Sequence, residues 1–175
     1  MRLTNHIDEM QAVLAHLEEQ QAPAAELARQ HFTLAVAFLR KQATEQAIAY
    51  LKQSLSYDDT NAIAYAYLGA ALVEKQQVDE AKEALKKALV LAPDEMLVQL
   101  KMGEFQYKLG FYPEAVKYLE AAVQLQAPNQ ATAQYLVALL EKARRANAKA
   151  FIREPKVLDF KKIAQLFLNL TKPKK

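Results

Sequence analysis

Three histidines, several acidic pairs and a C-terminal cluster of lysines and arginines are the side chains of this 175-residue chain best equipped for chemistry. His6, His16 and His31 show no His-x-x-x-His or His-Glu-x-x-His spacing, and there is no cysteine, so no set of metal ligands or disulfides is assembled. They read as surface or half-buried histidines. Carboxylate pairs such as glycosidases use occur at Asp58-Asp59, Asp79-Glu80 and Asp94-Glu95. All three fall at predicted helix starts, where capping and the helix dipole account for acidic residues. Gly69, Gly103 and Gly110 stand apart from one another and build no phosphate loop. The expectation is therefore a protein with no catalytic residues, no cofactor and no metal, hence not an enzyme.

The basic cluster has a wider choice of roles. Residues 1–141 carry 12 Lys/Arg against 18 Asp/Glu, whereas residues 142–175 carry 11 against 2. Lys142, Arg144, Arg145, Lys149, Arg153, Lys156, Lys161 and Lys162 can neutralise phosphates or meet an anionic surface. They equally suit a solvated helix face or an acidic protein partner. No aromatic residue interleaves between Lys142 and Lys149 to stack on bases, which disfavours nucleic acid.

What positions these residues is helical. Alanine occurs 32 times and glycine 3 times in a chain that is 52% hydrophobic, a balance that predicts an all-α protein with a buried core. No apolar run long enough to cross a membrane is present and the polar start has no signal-peptide core, so a cytoplasmic protein without a membrane span is expected.

The helices follow a period of 34. Ala47, Ala81 and Ala115 are 34 apart, Leu51, Leu85 and Leu119 follow each by four, and Ala35, Gly69 and Gly103 precede each by twelve. Each unit reads as two helices. In the middle unit, Tyr65, Leu68, Gly69 and Leu72 share one face, and after a polar break Ala81, Leu85 and Ala88 mark a second stripe. Pro93 with Asp94, then Pro128 with Asn129, read as breakers followed by caps, and Pro113 opens a second helix. The small residues let paired helices approach closely.

These columns resemble the tetratricopeptide repeat. The likeness is fullest in the middle unit, through Tyr65, Leu68-Gly69, Ala81, Leu85, Ala88 and Pro93, and covers about residues 28–145. It implies three helical-hairpin repeats at 28–61, 62–95 and 96–129, wound as a right-handed superhelix. Residues 1–22, behind an Asn5 cap, and 130–150 are expected to be capping helices. Residues 156–170 form a further amphipathic stretch before a basic tail at 171–175, with Val157, Phe160, Ile163, Phe167 and Leu168 as candidate docking residues.

The resemblance also implies a function. First helices of such repeats line a concave surface that grips peptides, and here that surface comprises Phe32, Val36, Leu39, Ile63, Ala66, Tyr67, Ala70, Val73, Leu97, Leu100, Lys101, Glu104, Tyr107, Lys108 and Tyr135. Some relatives clamp a chaperone's C-terminal carboxylate with Lys, Asn and Arg at these places. This chain has Phe32, Val36, Tyr67 and Leu100 there, with Lys101 as the one cation, which favours an extended or helical apolar ligand. The expectation is a scaffold for a protein or peptide partner, with a homodimer through the terminal stretch as a further possibility. A secretion-type or assembly chaperone is an alternative drawn from architecture, and nucleic-acid or membrane-surface binding through the basic segment is another.

Overall fold

The computed structural model describes residues 2–125 and 127–153. The stretches 156–170 and 171–175, with Val157, Phe160, Ile163, Phe167 and Leu168, lie outside the described residues. Eight helices account for nearly all that is described: α1 (Arg2–Glu19), α2 (Ala24–Arg40), α3 (Thr44–Tyr57), α4 (Ala62–Glu74), α5 (Val78–Leu91), α6 (Met96–Lys108), α7 (Tyr112–Gln124) and α8 (Gln130–Arg153). Among the described residues there is no strand.

The helices pair as α2 with α3, α4 with α5 and α6 with α7, and each pair stacks on the next. Side-chain size explains the pairing. Ala47, Ala81 and Ala115 are fully buried, and so are Leu51, Leu85 and Leu119 one turn later. Gly69 and Gly103 receive the leucine of the facing helix against their bare backbone. Ser54, in the column that holds Ala88 and Ala122, hides its hydroxyl by donating to the Ala28 carbonyl at 2.8 Å. Sandwiched between neighbours, α4 buries Ala64, Ala66, Leu68, Gly69, Ala71 and Leu72 around much of its circumference. By contrast, α5 buries only the stripe Ala81, Ala84, Leu85 and Ala88 and turns Lys82, Glu83, Lys86 and Lys87 outward.

Turns between paired helices repeat as faithfully as the core. Gln42, Gln76 and Gly110, 34 apart, adopt φ of 60°, 60° and 81°, the left-handed geometry that ends a helix. The carbonyls of Phe38, Leu72 and Gln106 accept from the amides of Ala43, Gln77 and Phe111 at 3.0, 2.9 and 3.0 Å, closing each turn the same way.

Both ends are covered. Ile7, Met10 and Leu14 of α1 pack on Leu27 and Leu34 of α2, while Leu136, Leu140 and Ala143 of α8 pack on Ala115, Leu119 and Ala122 of α7. Several local expectations need correction. The first helix begins at Arg2, which puts Asn5 inside it rather than at its cap. The cap of α6 is Glu95, whose carboxylate accepts from the Leu97 amide at 3.4 Å, and not Asp94. The α4 cap is Asn61, accepting from Ala64 at 2.9 Å, while Asp58 instead ends α3 and accepts from Thr60. Finally α2 starts at Ala24, directly after Pro23, where a missing N–H costs a helix nothing.

Candidate peptide-binding groove

First helices carry the candidate side chains because their exposed residues recur every 34 positions, one helix beside the next. Phe32, Val36 and Leu39 on α2 are half-buried, as are Tyr67 and Val73 on α4, while Ile63 is exposed. The rings of Phe32 and Tyr67 lie 5.8 Å apart at 59°, which joins α2 and α4 across the surface. A cavity of about 230 Å³ opens beside them, lined by Ile7, Met10, Phe32, Val36, Ala37 and Arg40 among others.

The other half is polar. A cavity of about 540 Å³ spans α4, α6 and α8 and is lined by Glu74, Lys101, Glu104, Tyr107, Lys108, Tyr135, Leu139 and Lys142. Inside it the Lys101 ammonium donates to Glu104 at 3.0 Å, and the Tyr135 hydroxyl donates to the same carboxylate at 2.7 Å. Desolvation of the phenol, then its bond to Glu104, push the Tyr135 pKa upward, so it stays a neutral donor. The Lys142 ammonium stands 5.4 Å over the Tyr107 ring, which also meets the Tyr112 ring at 5.6 Å.

Two candidate residues belong to the core instead. Leu100 is 4% exposed and packs with Met96, Leu119 and Leu136, and Ala66 is fully buried against Ala88 and Val98. Both sit in the helical column that turns toward the next unit, so a ligand cannot reach them. Sequence reasoning did not place Glu74 in the candidate groove, and it assigned Lys142 to the basic cluster alone. The signal was available, since Arg40, Glu74, Lys108 and Lys142 are 34 apart and all border one of the two cavities.

Among the described residues no group of three or more His, Cys, Asp or Glu is placed to hold a metal ion, and no helix is long and apolar enough to cross a membrane. The groove runs from the Phe32–Tyr67 pair to the cluster of Lys101, Glu104 and Tyr135. What it offers is aromatic area at one end and paired charge at the other.

Residues 38–101 match the family profile of the tetratricopeptide repeat. A curated relative, the protein STIP1 homolog of Dictyostelium discoideum, is 32% identical over 84 residues, 48% of this chain and 15% of its own length. The chain thus spans a small part of that relative. Among solved structures, the first tetratricopeptide domain of Spaghetti (RPAP3), bound to an HSP90 peptide of sequence SRMEEVD, superposes with a TM-score of 0.62 at 17% identity, covering 71% of this chain and 95% of that one. The MamA protein gives 0.60 at 22% identity, covering 89% and 86%. With the 34-residue columns and the left-handed turns, this match shows tetratricopeptide repeat over residues 38–101, and the units on either side resemble it.

Proposed function

We propose that the protein is an interaction scaffold that holds an apolar peptide or helix along its first helices, anchored on Phe32, Val36 and Tyr67. The observation that carries this reading is the Phe32–Tyr67 pair, two half-buried rings 5.8 Å apart beside an apolar cavity. Aromatic side chains that keep part of their area in water are strong anchors for a partner, because they bury much surface at little entropic cost. An acidic C-terminal peptide, such as the one bound by the Spaghetti domain, is a poorer fit. Such a ligand needs cations beside its anchor; Lys101 is already engaged by Glu104, and Lys108 and Lys142 line the polar cavity rather than the one beside Phe32.

Selection of random peptides displayed on phage, on the whole chain and on Tyr67→Ala, tests the reading. The expected result is enrichment of peptides with spaced apolar residues, lost on Tyr67→Ala and little changed by added salt. Enrichment of peptides with acidic C-termini, or binding that collapses in moderate salt, would overturn it.

A further inference from the structure

The column of 34-residue steps through Ala35, Gly69 and Gly103 continues to Val137 on α8. The first three are buried, whereas Val137 is 47% exposed. The difference has a single cause. A Cβ added to Gly69 would stand 2.5 Å from Leu85 Cγ, and one on Gly103 2.7 Å from Leu119 Cγ, because each of those positions faces a second helix. In its other columns α8 is a first helix: Leu136 continues Leu34, Leu68 and Met102 and is buried like them. Where α4 and α6 end, at Glu74 and Lys108, the matching residue Lys142 lies mid-helix and α8 runs on to Arg153. The side of α8 that no other described helix covers exposes Val137, Ala138, Ala148 and Phe151, with Glu141 and Arg145 paired to each other between them.

The 22 residues after Arg153 contain a matching element. In α3, α5 and α7 an alanine is followed four residues on by leucine and three further by a small residue: Ala47, Leu51, Ser54; Ala81, Leu85, Ala88; Ala115, Leu119, Ala122. Beyond Pro155 the same spacing recurs in Ala164, Leu168 and Thr171, and Val157, Phe160 and Phe167 fall on that same face of a helix. The stretch 156–170 is 15 residues long, beside 13 or 14 for the second helices.

We propose that residues 156–171 dock antiparallel on the open side of α8 of their own chain, as the second helix of a fourth pair, and leave the groove free. The register closes by length. Val137 lies 16 residues before Arg153 and Thr171 lies 16 after Pro155, so both stand about 24 Å from the bend at 1.5 Å per residue. Small Thr171 then faces bulky Val137, about one turn from the Gly69–Leu85 register, in which Leu168 would take that place, and Phe160 faces Ala148. A second copy is disfavoured as occupant because the short link at Glu154-Pro155 keeps the segment at high effective concentration beside its own α8.

The chain has no cysteine and no tryptophan, which makes the test clean. In the full chain, Ala148→Cys with Phe160→Cys is expected to cross-link within one molecule on treatment with a short bis-maleimide, shown by a faster-migrating monomer. Thr33→Cys, on the α2 wall of the apolar cavity, with Phe160→Cys is expected to stay unlinked. A linked dimer, a link from Thr33→Cys, or no link at all overturns the proposal. Independently, Phe167→Trp is expected to emit as a buried indole and to shift to the red when Val137→Asp is added, with helical circular dichroism from the array unchanged. Emission of a solvated indole at the outset, or no response to Val137→Asp, overturns it equally.

Discussion

His31 stacks on Tyr57 with ring centroids 5.5 Å apart and planes 14° from parallel, and neither of its ring nitrogens has a hydrogen-bond partner among the described residues. It is buried, also tilted against Tyr50 at 5.9 Å, and Glu18 of α1 approaches its Nε2 to 3.6 Å. Burial lowers its pKa below the ordinary 6.5, and the Glu18 carboxylate opposes this more weakly. The folded state thus prefers the neutral ring. Its contribution to stability is complete above pH 6.5 and is lost as pH falls through 6.5 toward the depressed folded value. Urea midpoints measured between pH 8 and pH 5 should fall toward the acid side, and His31→Tyr, which copies the aromatic at Tyr65, should flatten that slope. An unchanged slope would place the titration elsewhere.

Gly69→Ala should destabilise the array despite the better helix propensity of alanine. The propensity gain is about 1 kcal/mol. Against it, the new methyl meets Leu85 Cγ at 2.5 Å and the Ala81 carbonyl oxygen at 3.2 Å, an overpacking that costs about 1–3 kcal/mol. A net loss of about 1 kcal/mol is expected in urea unfolding. In a Leu85→Ala background the same change should cost less, since the crowding partner is gone.

Gln76→Gly should do the opposite. Gln76 holds φ at 60°, where a side chain is strained, and the equivalent position one unit on is Gly110 at 81°. Relief of that strain exceeds the added freedom of the unfolded chain, for a gain of about 0.5–1 kcal/mol. Gly110→Ala should lose a comparable amount although no atom lies within 4 Å of the new methyl, because the cost is conformational.

Groove and core separate by mutation. Leu68→Ala and Leu100→Ala, both at buried sites, should each cost about 2–5 kcal/mol. Tyr135→Phe, on a half-exposed ring, should change stability by about 1 kcal/mol or less and leave Glu104 with Lys101 as its remaining partner. Thermal unfolding followed by circular dichroism distinguishes the two classes.

Much of the fold was legible because its packing is written in residue size. Alanine at 47, 81 and 115 against glycine or alanine at 35, 69 and 103 permits only close helix pairs, and a spacing of 34 permits only their repetition. The limits of α6 and α2 were not legible, since Glu95 and Asp94 are interchangeable as caps on paper and Pro23 opens a helix as readily as it breaks one. For the candidate groove, the columns of the first helices were legible but their burial was not. Leu100 and Ala66 share a helical face with Phe32, and only the stacking of the next unit decides which of the three is covered. At the place of Gln42, Gln76 and Gly110, α8 has Arg144 and runs on to Arg153, with no glycine or proline between Ala143 and Arg153 to stop it.

Each helix pair touches the pair before it and the pair after it, and contacts between distant parts of the sequence are few. That arrangement governs how the protein comes into being. A chain whose partners are near in sequence closes short loops, which favours fast folding, and each hairpin can settle onto its predecessor while the remainder is still being synthesised. It also governs how the protein comes apart. Unfolding is expected to fray from the ends inward, so the hydrogen-exchange protection of α4 should outlast that of α1, and the ends should be the first places a protease cuts.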